Sequence, residues 1–135
     1  MQLMTQAQKQ KLLEQGQANM VCAGSFDFKP VIKLFTPDAN ATWLITEIDP
    51  NDHDQAFGLC DLGYPELGWV SLSELAAVRG GFGLPIERDL CFEAEYTISV
   101  YAEAARSAGT IVTDDTRLKA AQAEVQARKA RSAAG

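Results

Sequence analysis

Histidine is almost missing from this chain. His53 is the single example among 135 residues, which rules out a zinc-protease motif and confines any hydrolase triad to that one residue. No G-x-S-x-G elbow is present to support such a triad. Cysteine is scarce too: Cys22, Cys60 and Cys91 show no C-x-x-C spacing, and an odd number does not close a disulfide framework, so they read as small buried hydrophobes. Long apolar runs are also lacking. No stretch approaches the roughly 18 residues of a membrane span, and Met1 to Gln10 has no apolar segment of a secretory signal. A cytoplasmic protein with no membrane partner is expected, and the glycosylation triplet Asn40-Ala41-Thr42 then has no physical consequence.

Positive charge is missing from one long segment. Between Lys33 and Arg79 there is no Lys or Arg, while Asp38, Glu47, Asp49, Asp52, Asp54, Asp61, Glu66 and Glu74 all fall there. Such a segment repels a phosphate backbone. Residues 1–112 hold 15 acids against 7 basic residues, a balance of −8, whereas residues 113–135 hold 3 acids against 5, a balance of +2.

What is present suffices for one core: 47% of the residues are hydrophobic. The expected organisation is a single α+β domain over residues 1–112 and an Ala-rich helical tail over 113–135. Thr5 to Gln15 is rich in good helix formers, with Gly16 placed as a C-terminal cap. Gln17 to Lys29 has no clear period and reads as a connection. Val31–Phe35, Thr42–Asp49, Gln55–Leu62 and Glu66–Val70 carry β-branched or aromatic residues and are separated by short turn segments, which favours antiparallel neighbours. Ser71 to Arg79 reads as a helix, with a Ser71/Glu74 capping box and Gly80 at its end. Leu90 to Tyr96 alternates apolar and polar residues and predicts a fifth strand. A helix follows from about Thr97 to Ser107. In the tail, Asp114 and Asp115 lead and Arg128, Lys129 and Arg131 follow, the charge order that suits a helix macrodipole. Its seven alanines make it weakly apolar, a helix that projects from the domain or pairs with a partner, a second copy included. The fold class is thus an antiparallel sheet of about five strands with flanking helices and a C-terminal helical tail.

Each constellation that resembles a chemical motif has a plainer reading. His53 sits in a polar hairpin loop, and the run Asp49 to Asp54 leads into neither the glycine nor the glutamate of a calcium-binding hand. Neither a metal nor another cofactor is expected. The glycine-rich stretch Arg79 to Pro85 leaves a helix and enters a strand, the reverse of a phosphate loop, so it serves chain reversal, with backbone contact to a ligand as the alternative. Glu87, Arg88 and Asp89 place a guanidinium between two carboxylates and predict a structural ion pair fixing the loop against the sheet. Trp43 is expected in the core, whereas Trp69 and Tyr64 beside the acid-rich segment suit a contact surface.

The blocks Leu34-Phe35-Thr36-Pro37-Asp38, Thr42-Trp43-Leu44-Ile45-Thr46-Glu47, Glu66 to Leu75, Arg79-Gly80 and Gly83 to Asp89 resemble a bacterial family catalogued only as domain-of-unknown-function family 2958. The resemblance covers about Val31 to Phe92. It implies a small protein carried on plasmids and integrative mobile elements, with no catalytic residues to transfer. The expected function is a non-enzymatic accessory protein that binds another protein through an acidic surface formed by Asp38, Glu47, Asp49, Asp52, Asp54, Asp61 and Glu66 with Tyr64 and Trp69. Such a surface would inhibit a host defence or DNA-processing factor by imitating nucleic-acid charge, provided the acids share one face. Two alternatives stand beside it: a small enzyme using the Gly80–Asp89 loop with Asp38 or Glu47 as acid or base, and nucleic-acid binding through the basic tail.

Overall fold

A computed structural model describes residues 3–24 and 26–134. Met1 and Gln2 of the opening stretch, Ser25 of the expected connection and Gly135 of the tail lie outside the described residues. The first helix, α1, spans Gln6–Val21 and starts at a reciprocal capping box: Gln8 N donates to Thr5 Oγ1 at 3.1 Å and Thr5 N donates to Gln8 Oε1 at 2.9 Å. It does not stop at Gly16 as expected. Gly16 is a mid-helix contact, because a β-carbon there would lie 1.9 Å from the Ile48 carbonyl oxygen. The helix ends at Val21 with Cys22 as its cap, and Gly24 then takes a left-handed φ of +77° and donates to Asn19 O at 2.7 Å. The first part of the segment expected as a connection, Gln17 to Val21, is therefore helical.

Five antiparallel strands follow: β1 (Ile32–Phe35), β2 (Thr42–Asp49), β3 (Asp52–Asp61), β4 (Pro65–Ser71) and β5 (Glu87–Arg88), in the spatial order β4-β3-β2-β1-β5. Side chains inside the turns tie them. Asn51 N donates to Asp49 Oδ1 at 2.8 Å, and Gly63 N donates to Asp61 Oδ1 at 3.0 Å. The expected strand over Leu90–Tyr96 is replaced by the two-residue β5 just upstream. Strand β1 has only four residues, and Asp89 N already donates to Lys33 O at 2.9 Å. The chain then leaves the sheet and packs Phe92 and Tyr96 against Tyr101.

Strand β2 carries the feature that shapes the site. Ile45 pairs with Gly58, yet Glu47 pairs with Phe57, so Thr46 is an extra residue in a β-bulge. Strict alternation would put Glu47 on the same face as Trp43 and Ile45. The bulge instead turns Glu47 to the face of Leu44 and Leu59, and Ile48 rejoins Trp43 and Ile45.

The sheet is covered on both faces. On one, α1 and the short α2 (Leu72–Ala77) bury Leu12 and Leu75 against Trp43, Ile45 and Ile48. On the other, α3 (Ile98–Ala108) and α4 (Asp115–Ala134) bury Tyr101, Ala105, Leu118 and Ala121 against Leu44 and Leu59. Helix α2 ends at Val78 in an extended conformation, so Gly80 is not its cap; Gly80 closes a turn with Gly83 and Leu84. Helix α3 is capped from far away, with Ser99 N donating to Asp27 Oδ1 at 3.0 Å. The tail does not project: α4 lies on α3, which occupies its apolar face. Its basic residues are mostly paired, Arg128 with the buried Glu103, Lys119 with Asp115, Arg117 with Asp114 and Arg131 with Glu124. The cysteines also depart from expectation, since Cys22 and Cys91 are exposed and Cys60 is half-buried. Among the described residues, no helix is long and apolar enough to cross a membrane.

Two substitutions test this packing. Gly16→Ala gains about 1 kcal/mol of helix propensity, but it drives a methyl group into the Ile48 carbonyl, and overpacking costs roughly 1–3 kcal/mol; a lowered urea midpoint is expected. Leu118→Ala lowers stability by roughly 2–5 kcal/mol in the same measurement, because the leucine is buried, whereas a projecting helix would register almost nothing.

Candidate functional site

Register places Glu47, Phe57 and Trp69 side by side across β2, β3 and β4. Above this row lies a cavity of about 450 Å³, walled by the end of α1, the chain at Phe26 and Phe28, the β2–β3 turn and Ile98 at the start of α3. Phe57 and Trp69 meet edge to face with centroids 5.3 Å apart, and Phe26 stacks on Phe28 at the same separation. Glu47 is only 8% exposed, whereas Trp69 is 51% exposed and forms the rim.

The polar side of the cavity is built by one face of α1. Leu12, Gln15, Gly16 and Asn19, spaced three and four apart, are its buried residues. Gly16 lets the helix touch β2. Gln15 Nε2 then reaches the carbonyl oxygen of the bulged Thr46, and Asn19 Nδ2 donates to Glu47 Oε1 at 2.7 Å. Asn19 Oδ1 in turn accepts from Phe26 N at 3.0 Å, which fixes the orientation of the amide and anchors the aromatic wall. No described residue donates to Glu47 Oε2. Burial raises the pKa of Glu47; the Asn19 hydrogen bond opposes this and the nearby Asp49 charge adds to it.

The other acids do not share this site, or one face. Asp61 points to the α3 side, where Thr110 Oγ1 and Ile111 N donate to it at 2.8 and 3.0 Å; burial pushes its pKa up, but these bonds and one from Gly63 outweigh that and hold it low. Asp54 turns the opposite way, to the start of α2, where Ser71 and Ser73 hold its carboxyl below the ordinary value. Asp38 accepts from Phe82 N at 2.8 Å and Leu84 N at 3.3 Å, pinning the glycine-rich loop. Asp49 lines the cavity but also holds the turn through Asn51, and Asp52 caps Asp54 N at 3.1 Å. Glu66 and Tyr64 are exposed on or beside β4. The condition for charge mimicry, that the acids share one face, is not met: most of these carboxylates are turn and helix caps on both sides of the sheet.

The remaining expectations resolve as simply. Asp38 and Glu47 stand at opposite ends of β2, so they form no acid–base pair around the Gly80–Asp89 loop. The structural ion pair uses Asp89 but not Arg88: Lys33 Nζ lies 3.6 Å from Asp89 Oδ2, because Lys33 is next to Asp89 across the β1 edge while Glu87 and Arg88 are taken into β5. Trp43 is in the core at 3% exposure. His53 is exposed, and among the described residues no three metal-ligating side chains come together. Burial, aided by Glu66, pushes the Cys60 thiol up to about 11, which favours the protonated form at neutral pH. Sequence reading missed Asn19, Phe26 and Phe28. The available signal was a helical face whose inward positions are Gln, Gly and Asn, a pattern that hydrophobic periodicity does not register.

The site has a consequence for stability. With a raised pKa, Glu47 binds its proton more tightly in the folded chain, so its ionised form subtracts from stability at neutral pH; the loss fades as pH falls through the raised folded value and is gone below the unfolded value of roughly 4. Glu47→Gln keeps the acceptor for Asn19 and removes the charge. It is expected to raise Tm at neutral pH, with the gain disappearing in melts recorded near the bottom of that titration.

No curated protein and no solved structure matches the chain. A family model described as "Protein of unknown function (DUF2958)" does, over residues 3–112. That span includes every residue lining the Glu47 cavity and stops short of α4. The chain therefore belongs to this family of unknown function.

Proposed function

We propose that this protein is a binding module rather than a catalyst, and that it engages another protein through the Glu47 cavity and the exposed aromatic edge beside it. The observation that carries the reading is a buried carboxylate, held by one amide and with its second oxygen uncommitted, at the base of an aromatic cavity that opens beside an edge strand. Concave, largely apolar sites with a few placed polar groups are the usual form of recognition pockets. Strand β4 is outermost in the sheet, and Leu67 and Trp69 leave about half their surface open on it, with Leu62 and Tyr64 exposed in the preceding turn. Exposed apolar residues in such a cluster suit a protein contact.

The setting follows from the family resemblance: a cytoplasmic accessory protein of a mobile element acting on a host protein. Charge mimicry is not part of this proposal, because the acids divide between two faces. The basic tail is also set aside as a nucleic-acid site, since four of its five cations already have carboxylate partners among the described residues.

A photo-crosslinking side chain placed at Leu67 is expected to trap the partner, whereas the same group at the remote, exposed Leu90 is not. Trp69→Ala weakens binding to the trapped protein by about tenfold or more, the behaviour of an interface anchor. Turnover of a substrate by the purified chain, lost on Glu47→Gln, would overturn the binding-module reading.

A further inference from the structure

We propose that the Glu47 cavity is a site for an alkylammonium ion, a positively charged nitrogen carried on an apolar stem. The inference rests on the reading of this cavity as the recognition site, and it names the chemistry of what enters.

Charge selects the sign. Glu47 and Asp49 both line the cavity, and among the described residues that line it there is no Lys, Arg or His. An anion would meet two carboxylates and no compensating cation. A cation meets the free Oε2 of Glu47 and the aromatic walls, whose ring faces carry negative potential. One neutral amide is the protein partner of this carboxylate, and its other oxygen is reachable from the cavity, where an incoming cation supplies the counter-charge.

Shape and hydration select the class. At about 450 Å³, the cavity lies in the size range of small-molecule sites and is far larger than a bare metal ion needs. Phe26, Phe28, Phe57, Met20 and Ile98 offer surface for methylene or methyl groups and, apart from the Met20 thioether, no ligand for a metal. The hydrogen-bond pattern selects among organic cations. A guanidinium is best held by both oxygens of a carboxylate, and the Asn19 bond already takes one acceptor site of Oε1, leaving Oε2 the less crowded oxygen. One free oxygen suits the point charge of an ammonium group, whose stem then lies along the rings.

The test uses the full-length protein and two-dimensional NMR. The chain has two tryptophans, so its indole N–H signals separate the rim, Trp69, from the core, Trp43. Hexylammonium and hexyltrimethylammonium chloride are titrated at neutral pH, with 1-hexanol as the uncharged control. The expected result is a saturable shift of the Trp69 signal by the ammonium ions with Trp43 unmoved, at least tenfold weaker binding of hexanol, and at least tenfold weaker ammonium binding by Glu47→Gln. That variant keeps an acceptor for Asn19, and a melt recorded alongside that is no lower than the parent's shows that its loss of binding is not a loss of fold. A Gly-Lys-Gly peptide that binds as hexylammonium does assigns the source to a lysine of a protein partner; binding of the free amine alone assigns a small metabolite amine. Equal binding of hexanol, or unchanged ammonium affinity in Glu47→Gln, overturns the cation inference while leaving the cavity as a binding site. If no probe moves Trp69 while the Leu67 crosslink still traps a protein, the ammonium site is wrong and the protein-binding edge stands; if both fail, both readings fall.

Discussion

At Gly16 the backbone of α1 lies against the Ile48 carbonyl with no space for a β-carbon, and most of the functional geometry descends from that contact. It brings the next turn of the helix close enough for Gln15 to satisfy the bulged carbonyl of Thr46 and for Asn19 to hold Glu47. A bulge leaves a strand carbonyl without its ladder partner, and an unpaired buried carbonyl is costly. The helix face that meets it is therefore polar where most helix faces are greasy. Moving α1 outward by the width of one methyl group would loosen both hydrogen bonds together.

The same logic of distant polar partners recurs elsewhere in the molecule. Asp27 caps the start of α3 from the chain after α1, Asp61 ties the end of β3 to the segment between α3 and α4, and Glu103 in α3 receives Arg128 from α4. Each joins segments far apart in sequence; the first two satisfy helix-end or turn groups, and the third gives the buried Glu103 a counter-charge. The high acid content is spent largely in this way. Charge counted along the chain suggested an electrostatic surface, but the carboxylates mostly accept hydrogen bonds from backbone amides and hydroxyls. Among the described residues the one fully buried carboxylate oxygen without a partner is Asp38 Oδ1, whereas Glu47 holds its unpartnered oxygen at the cavity, where an incoming group can reach it.

Placement of the aromatic residues completes the division between structure and function. Trp43 fills the core between α1 and the sheet, while Trp69, two strands away and on the opposite face, stays half open beside Phe57. The two rings have the same chemistry and the same strand environment in sequence. What separates them is position in the sheet: β2 is central and covered on both faces, whereas β4 is at the edge, where the helices no longer reach across its full width.

The antiparallel class, the four main strands, the turns, the Trp43 core position and the helices beginning near Thr5, Ser71, Thr97 and Asp115 were all legible in the sequence, because side-chain alternation, capping oxygens and turn residues act over a few neighbouring positions. The errors share one cause. Gly16 looks locally like a stop signal but serves a contact with a residue 32 positions away, and the alternation of Leu90 to Tyr96 has the form of a strand although β1 has no edge left to pair with it. The site was hidden for the same reason: Glu47 stood out as an acid, but an extra residue in β2 decides which face it meets, and Asn19, 28 positions earlier, decides how it is held. Local propensity fixed the elements. The faces they present, and the cavity between them, were decided only when hydrogen bonds and steric contacts formed between segments that carry no record of each other in the sequence.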